Sequence, residues 1–335
     1  MTWLSYAKGL NRALGDELDR DHRVFLLGED VGIGASGATA GLLKRFGPER
    51  VLDMPLSEQA FTSFATGAAL AGRRPVVEFA IPSLLFLTFE QIANQAHKLA
   101  LMTGGQARVP VTYLITGSGS KAGWAGQHSD QPYALFAHVG VKTLVPATPQ
   151  DAYGMVLAAI RDDDPVVVFA PAAALTTRVD ADLGALGATP IGRGRIVRAG
   201  TDVTVVATGH LVADALAVAE AVAADVSVEV FDPRTVYPFD FDTLAASVAR
   251  TGRLIVIDDT NRFCGLAAEI LAVAAEDRWR LVAPPRRITR PDGAVLPYAI
   301  GLDRAMQPRP DQLVAAVHEV CRYRPTTSES TKEPL

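Results

Sequence analysis

Short runs of apolar residues alternate with helical patterns along most of the chain, and this alternation constrains the fold more than any other feature. Both faces of such a run are apolar, so each strand must be covered by helices on both sides, as in a parallel sheet. We therefore predict an α/β fold with mainly parallel sheets. The first predicted strands are Val24–Leu27, Pro75–Phe79, Val109–Ile115, Lys142–Val145 and Pro165–Phe169, and the clearest helices are Leu4–Leu18, Leu84–Met102 and Asp151–Arg161.

The alternation lapses between Ala170 and Pro190 and then resumes, which predicts two α/β domains joined by a linker. We place the first domain at 1–175, the linker at 176–190 and the second domain at 191–323. Residues 324–335 are rich in Pro, Thr, Ser and Glu, a composition that predicts a disordered tail. The elements of the second domain are the strands Val203–Ala207, Ser227–Phe231, Leu254–Ile257 and one near Arg286–Thr289, and the helices Leu211–Ala224 and Pro310–Val320.

Composition excludes several classes of protein. The net charge of -5, with both signs mixed, leaves no basic stripe, so we expect neither nucleic acid nor a membrane as a partner. Cys264 and Cys321 lie far apart and outside any Cys-x-x-Cys pattern, which argues against a disulfide framework or a zinc site and fits the reducing cytoplasm. The first residues lack a basic region followed by an apolar run, so we predict no secretory signal and a cytoplasmic location.

One carboxylate, Glu58, stands between the predicted strand Arg50–Asp53 and the apolar helix Ala60–Leu70. Ser57 is expected to cap that helix and to leave Glu58 in its first turn, above the ends of the strands. The helix macrodipole alone favours an acid at such a position, so a purely structural role is an alternative.

A glycine motif, Gly32–Gly37, follows the strand Val24–Leu27 and has Asp53 about twenty residues further on, as in a dinucleotide-binding fingerprint. However, Glu29 and Asp30 stand where a pyrophosphate would approach, and the helix that follows is short. This context argues against an NAD site, although an NAD-dependent enzyme stays one of the candidate classes.

A long glycine-rich loop, Gly117–Ser129, leaves the strand Val109–Ile115 and contains His128 near its end. Loops at the carboxyl ends of strands carry much of the function in α/β folds. His128 is therefore a candidate acid, base or positioning group, and an ordinary surface histidine is the alternative.

Taken together, several segments resemble the β subunit of the E1 component of 2-oxo acid dehydrogenase complexes. The resemblance covers residues 4 to 321 and is carried by short matches in the same order along the chain. These matches are Val24–Gly32, Phe46–Val51, Pro55–Phe61, Gly126–Ser129, Phe136–Gly140, Ala159–Pro165 and Asp232–Asp240.

The resemblance implies a thiamine diphosphate enzyme whose active site is split over two chains. This chain would supply the pyrimidine-binding domain and a transketolase C-terminal-like domain, and it would place Leu56, Glu58 and Leu84 on the cofactor. Glu58 would hydrogen-bond the aminopyrimidine ring, His128 would position the substrate or donate a proton, and Glu29 would belong to a proton path between two cofactors.

The resemblance also implies partners. The diphosphate and Mg2+ would be bound mainly by an α chain, because the Gly-Asp-Gly motif of that site is absent here. The implied assembly is an α2β2 heterotetramer, inert without its α chain, that decarboxylates a 2-oxo acid and passes the acyl unit to the lipoyl group of an E2. We expect no metal ligand in this chain.

Two departures from the family pattern leave the substrate and the acceptor open. Leu84 stands where relatives have an aromatic residue, and Ala170–Ala174 stands where they have charged or polar residues. An acetoin-type subunit or an acyloin-forming carboligase is therefore one alternative. A non-catalytic scaffold is another, although a scaffold would have no need for both Glu58 and His128.

Overall fold

The computed structural model describes residues 2–120, 122–181, 187–277, 279–293 and 295–324. The predicted disordered tail, 324–335, lies outside the described residues except for Arg324. The strands are β1 Thr2–Ser5, β2 Val24–Gly28, β3 Val51–Asp53, β4 Arg74–Phe79, β5 Thr112–Ser118, β6 Lys142–Leu144, β7 Val166–Pro171, β8 Arg178–Ala181, β9 Arg195–Arg198, β10 Val203–Ala207, β11 Val228–Asp232, β12 Thr235–Tyr237, β13 Leu254–Asn261 and β14 Arg286–Arg290.

The α-helices lie between these strands in chain order. They are α1 Tyr6–Arg20, α2 Leu42–Phe46, α3 Glu58–Leu70, α4 Leu85–Glu90, α5 Leu99–Met102, α6 Tyr133–His138, α7 Pro149–Arg161, α8 Leu211–Ala221, α9 Phe241–Thr251, α10 Leu266–Glu276, α11 Ile300–Met306 and α12 Pro310–Arg322. Short 3-10 turns occupy Pro82–Leu84, Gly126–His128 and Ala172–Ala174, and a π-helical segment spans Gln91–His97.

Residue contacts divide the chain into two units. Unit 1 comprises the described residues of Met1–Arg193, Arg234–Phe239 and Val295–Met306, and unit 2 comprises the remainder. The predicted linker 176–190 contains β8, which pairs antiparallel with β1. Regular structure therefore continues beyond the predicted end of the first domain, and the domain boundaries themselves stay a prediction.

The main sheet of unit 1 has the strand order β12-β6-β7-β5-β4-β2-β3. All neighbouring pairs in it are parallel except β12 with β6. Strands β2, β4, β5 and β7 are buried throughout their length, as expected for a sheet covered on both faces.

Helices α1 and α7 cover part of this sheet and pack closely on each other. A Cβ atom placed on Gly9 of α1 would lie 2.4 Å from the carbonyl oxygen of Pro149, the first residue of α7, so this approach requires glycine. The start of each helix is fixed by a capping side chain, Ser5 for α1 and Thr148 for α7.

Unit 2 contains a smaller sheet of order β14-β13-β10-β11-β9, in which only the pair β11–β9 is antiparallel. The predicted fold class, α/β with mainly parallel sheets, is confirmed.

The largest differences from the predicted elements concern strand β5 and the helix after β4. Strand β5 begins at Thr112 rather than Val109, because Pro110 has no N–H for the ladder and the N–H of Val111 bonds the carbonyl of Val109 at 2.8 Å. The predicted helix Leu84–Met102 is divided into a 3-10 turn, α4, the π-helical segment and α5.

Candidate cofactor and active site

The four predicted site regions lie at one edge of the sheet of unit 1. Strands β5, β4, β2 and β3 are consecutive neighbours and run parallel. Along the chain, Glu29 follows β2, Glu58 follows β3, Leu84 follows β4 and His128 follows β5. Since the carboxyl ends of parallel strands meet at a common edge, the fold brings these residues to the place where α/β sheets bind ligands.

Glu58 is the first residue of α3 and is partly buried. The helix is fixed against β4 by the rings of Phe61 and Phe79, whose centroids are 5.6 Å apart. Ser57 is the N-cap residue, as predicted, but its side chain accepts no hydrogen bond from the helix, and its hydroxyl donates to the carbonyl of Pro55 at 3.2 Å. The first-turn N–H groups of α3 are therefore not capped by Ser57, and Glu58 stands beside them.

Glu29 is also partly buried, and the charge of Glu58 affects its pKa. Burial, followed by the charges of Asp30 and Glu58, raises the pKa of Glu29 above its ordinary value. Among the described residues, neither Glu29 nor Glu58 has a hydrogen bond or ion pair through its carboxylate. Two neighbouring acids without internal partners form an arrangement suited to holding and exchanging a proton.

The glycine motif does not form a dinucleotide site. Strand β2 ends at Gly28, and the next helix, α2, begins only at Leu42, so no helix N-terminus meets the glycines. Asp53, which would bind a ribose in such a site, accepts a hydrogen bond from the N–H of Gly32 at 2.7 Å. Asp53 therefore fastens the loop after β2, and the NAD alternative loses its structural basis.

Two leucines provide apolar surface in the same region. Leu84 is the last residue of the 3-10 turn after β4 and is partly buried. Leu56, two residues before Glu58, has 75% of its surface exposed. An exposed side chain of this size is available to a planar ligand or to another chain.

His128 ends the 3-10 turn Gly126–His128 and is partly buried. Its ring packs edge-on against Trp124, with ring centroids 5.6 Å apart, and Trp124 is 56% exposed. Two further residues at this site, Ser83 and Asp130, belong to none of the predicted site residues, and their side chains are joined by a hydrogen bond of 2.6 Å beside this turn. They are 47 residues apart in the sequence, so no local pattern indicates the contact. The only available signal is that Ser83 follows β4 and Asp130 follows β5, two strands that are neighbours in the sheet.

The carboxylates of Asp162 and Asp164 form ion pairs with basic side chains of the same chain. Lys142 contacts the carboxylates of Asp162 and Asp164 at 2.7 and 3.0 Å, and Arg108 contacts Asp164 at 2.7 Å. Across the described ranges, no group of three or more His, Cys, Asp or Glu side chains is placed to hold a metal ion. Nor does any described helix combine the length and apolar character needed to cross a membrane.

Comparison with known proteins assigns each part of the chain to a domain family. Residues 3–177 match the transketolase pyrimidine-binding domain and residues 192–313 match the transketolase C-terminal domain. A solved structure described as a split-gene transketolase, inactive beta4 tetramer, has a TM-score of 0.77 at 22% identity, covering 95% of this chain and 98% of that one. This likeness supports the fold.

Curated relatives match nearly the whole chain. The β subunit of acetoin:2,6-dichlorophenolindophenol oxidoreductase of Bacillus subtilis (strain 168) is 37% identical, with 95% of this chain and 97% of the relative covered. The mitochondrial pyruvate dehydrogenase E1 component subunit beta-2 of Oryza sativa subsp. japonica is 39% identical, with coverage of 98% and 89%. The 2-oxoisovalerate dehydrogenase subunit beta of Bacillus subtilis (strain 168) is 35% identical, with coverage of 96% and 100%.

These matches confirm the resemblance noted in the sequence, since the domain order and the full-length relatives agree with it. The chain belongs to the family of E1 β subunits, which join a transketolase pyrimidine-binding domain to a transketolase C-terminal domain.

Proposed function

We propose that this chain is the β subunit of a thiamine diphosphate-dependent E1-like enzyme that decarboxylates a 2-oxo acid and transfers the acyl unit to a lipoyl group. The observation that carries the proposal is the pair Glu29 and Glu58 in a pyrimidine-binding domain. The pKa of Glu29 is raised and neither acid is paired with a described residue. A pair used only for stability would be expected to have internal partners.

The residues fit the pyrimidine part of thiamine diphosphate. An aminopyrimidine ring needs a carboxyl group at a ring nitrogen and apolar surface for its faces, and Glu58 with Leu56 and Leu84 supplies both. When bound, the cofactor provides the electron sink for decarboxylation. Glu58 would hold a proton at the N1′ atom of the ring, and Glu29, with its raised pKa, would pass protons to and from Glu58.

His128 would act on the substrate rather than on the pyrimidine ring. It stands on the loop after β5, whereas Glu29 and Glu58 follow β2 and β3. An imidazole here can orient a 2-oxo acid or donate a proton during acyl transfer. Leu84 has no ring to stack on the cofactor, and its side chain is smaller than an aromatic one, which leaves more room beside the cofactor.

The chain would be active only with an α partner, in an α2β2 heterotetramer. The motif that binds the diphosphate and Mg2+ in this enzyme class is absent from the sequence, so we assign both groups to the partner. Large apolar side chains on α3 and α4 support an interface: Phe64, Leu70, Phe86 and Leu87 are 50%, 49%, 52% and 51% exposed. Such exposure on adjacent helices is typical of a surface that another chain covers.

One alternative is favoured by a specific observation. Beyond the end of β7 the chain continues as the apolar 3-10 turn Ala172–Ala174, which offers no charged side chain to the acceptor. This turn and Leu84 favour an acetoin-type subunit or a carboligase of the same fold, which needs no lipoyl-bearing E2. The cytoplasmic location also stays a proposal, since some relatives are named as mitochondrial.

Calorimetric titration of thiamine diphosphate and Mg2+ into the chain, alone and after co-purification with the product of a neighbouring α-like gene, tests the proposal. We expect binding only by the pair, followed by 2-oxo acid-dependent reduction of 2,6-dichlorophenolindophenol. Turnover of acetoin, or release of an acyloin product from a 2-oxo acid, would favour the alternative. Absence of binding by the pair would reject both and leave a non-catalytic scaffold.

A further inference from the structure

A hydrogen-bonded clamp joins the two loops that carry Leu84 and His128. The hydroxyl of Ser83 lies 2.6 Å from a carboxylate oxygen of Asp130 and also donates toward the carbonyl of Gln127. A hydroxyl has a single proton to give, so these two acceptors share it. Gln127 and Asp130 flank His128 on both sides, and Ser83 directly precedes Leu84.

The loop around His128 needs such restraint because its backbone is strained. Ala122 and Ala125 have φ angles of 50° and 62°, in the region that side-chain-bearing residues avoid. Ala125 combines this φ with a ψ of -177°, a conformation that is essentially restricted to glycine. Strained residues persist only where the surroundings hold them, and the strain lies three residues from His128.

Other contacts hold the rest of the loop. The hydroxyl of Ser120 donates to the buried carboxylate of Asp303 at 2.7 Å, and the N–H of Gly119 bonds the carbonyl of Asp130 at 2.9 Å. A Cβ atom on Gly126 would lie 2.4 Å from Cγ1 of Val295, so the backbone there is packed against its neighbour. Of these contacts, the Ser83 hydroxyl is the one that reaches both flanks of His128.

We propose that Ser83 and Asp130 are positioning residues that set the place of the His128 imidazole relative to Leu84 and the cofactor. This inference rests on the proposed function, because it assigns the clamp to the acyl-transfer step in which His128 acts. Removing the Ser83 hydroxyl would release the strain in the loop and move the imidazole, and a misplacement of about 1 Å lowers rates strongly.

A double-mutant cycle in the co-purified complex tests the proposal. We expect Ser83→Ala to lower kcat about tenfold with little change in KM, and Ser83→Thr, which keeps the hydroxyl, to retain most of the activity. In a His128→Gln background, Ser83→Ala should have less than about a twofold effect, since residues acting through one another are not additive. A matched control is Ser227→Ala in unit 2, which removes a partly buried hydroxyl bonded to the N–H of Thr201 at 3.2 Å.

An undiminished kcat in Ser83→Ala, or the same tenfold loss with and without His128, would overturn the proposal. Hydrogen–deuterium exchange of the full-length chain gives a second readout, independent of activity. Peptides within 122–130 should exchange faster in Ser83→Ala and not in Ser227→Ala, and unchanged exchange would refute the clamp. If the wild-type complex shows no turnover, the proposed function fails, and exchange alone then decides whether the clamp holds the loop.

Discussion

Both units carry acids near the carboxyl ends of parallel strands, but the two sets of acids are held differently. In unit 2, Asp258 accepts hydrogen bonds from Thr208 at 2.9 Å and Thr260 at 2.5 Å, and Asp259 pairs with Arg290 at 2.7 Å. In unit 1, Glu29 and Glu58 have no such partners among the described residues.

The difference separates structural acids from candidate functional ones. A buried carboxylate is tolerated for stability when donors or a counter-charge satisfy it, as in unit 2. An acid left with an open hydrogen-bonding capacity destabilises the fold slightly and is available to a ligand. Substitutions at the two kinds of acid should therefore differ in their effects on activity and on stability.

Replacing Glu58 with Gln should lower turnover of the complex about a thousandfold, because the amide cannot hold a proton at the cofactor ring. The free energy of unfolding should change by less than about 0.5 kcal/mol, since the carboxylate has no bond to a described residue. The measurements are steady-state kinetics and urea denaturation. Glu220→Gln on the exposed face of α8 is the matched control, and equal activities of the two variants would contradict the assignment.

Replacing Asp259 with Ala should lower the free energy of unfolding by about 3 kcal/mol, because it removes the carboxylate that pairs with the buried guanidinium of Arg290. Urea denaturation measures the loss. The double variant Asp259→Leu with Arg290→Met should recover most of it, since neither member of the pair is then charged. A loss below about 1 kcal/mol for the single variant would show that unit 2 does not depend on this pair.

Replacing Thr208 with Val should cost about 1 to 2 kcal/mol in the same experiment, because the shape is kept while Asp258 loses one of its donors. Thr201→Val provides the comparison, since the exposed Thr201 hydroxyl bonds Asp202 at 3.3 Å and should contribute little. Similar costs at both positions would remove the distinction between buried and exposed donors.

Replacing Glu29 with Gln should stabilise the chain at neutral pH by less than about 1 kcal/mol. The pKa of Glu29 is raised by burial, Asp30 and Glu58, so the ionised form is less favourable in the folded chain than in the unfolded chain. The advantage of the variant should shrink as the pH falls through the raised pKa of Glu29 and should vanish below the ordinary glutamate pKa, where the carboxyl is protonated in both the folded and the unfolded chain. Melting temperatures measured across this range would contradict the argument if the difference grew toward low pH.

Much of the fold could be predicted because the apolar runs and helical periods are local features. The strands β2, β4, β7 and β10 and the helix α3 lie close to their predicted positions. Strand β1 was missed, since Thr2–Ser5 lies at the start of a helical pattern and pairs only with the distant β8. The return of Val295–Met306 to unit 1 was missed for the same reason, because nothing local marks it.

In the candidate site, too, local features could be predicted and long-range contacts could not. Each of Glu29, Glu58, Leu84 and His128 follows a strand in the sequence, and these strands are parallel neighbours. The common edge of these four residues therefore follows from their sequence positions and the strand order. The hydrogen-bond partners around these residues could not be predicted from the sequence. Whether an acid is paired, as Asp53 is with the N–H of Gly32, depends on a loop conformation, and the Ser83–Asp130 contact depends on two loops at once.

Unit 1 is assembled from three separate stretches of the chain, and this limits how the protein can be divided. A fragment ending at Arg193 would lose Arg234, which pairs with the buried Asp151 at 2.9 Å, and strand β12 at the edge of the sheet. It would also lose Asp303, to which Ser120 in the His128 loop is fastened. A single stretch of chain that contains all of unit 1 must therefore also contain most of unit 2, so the two units are expected to be exchanged between relatives together.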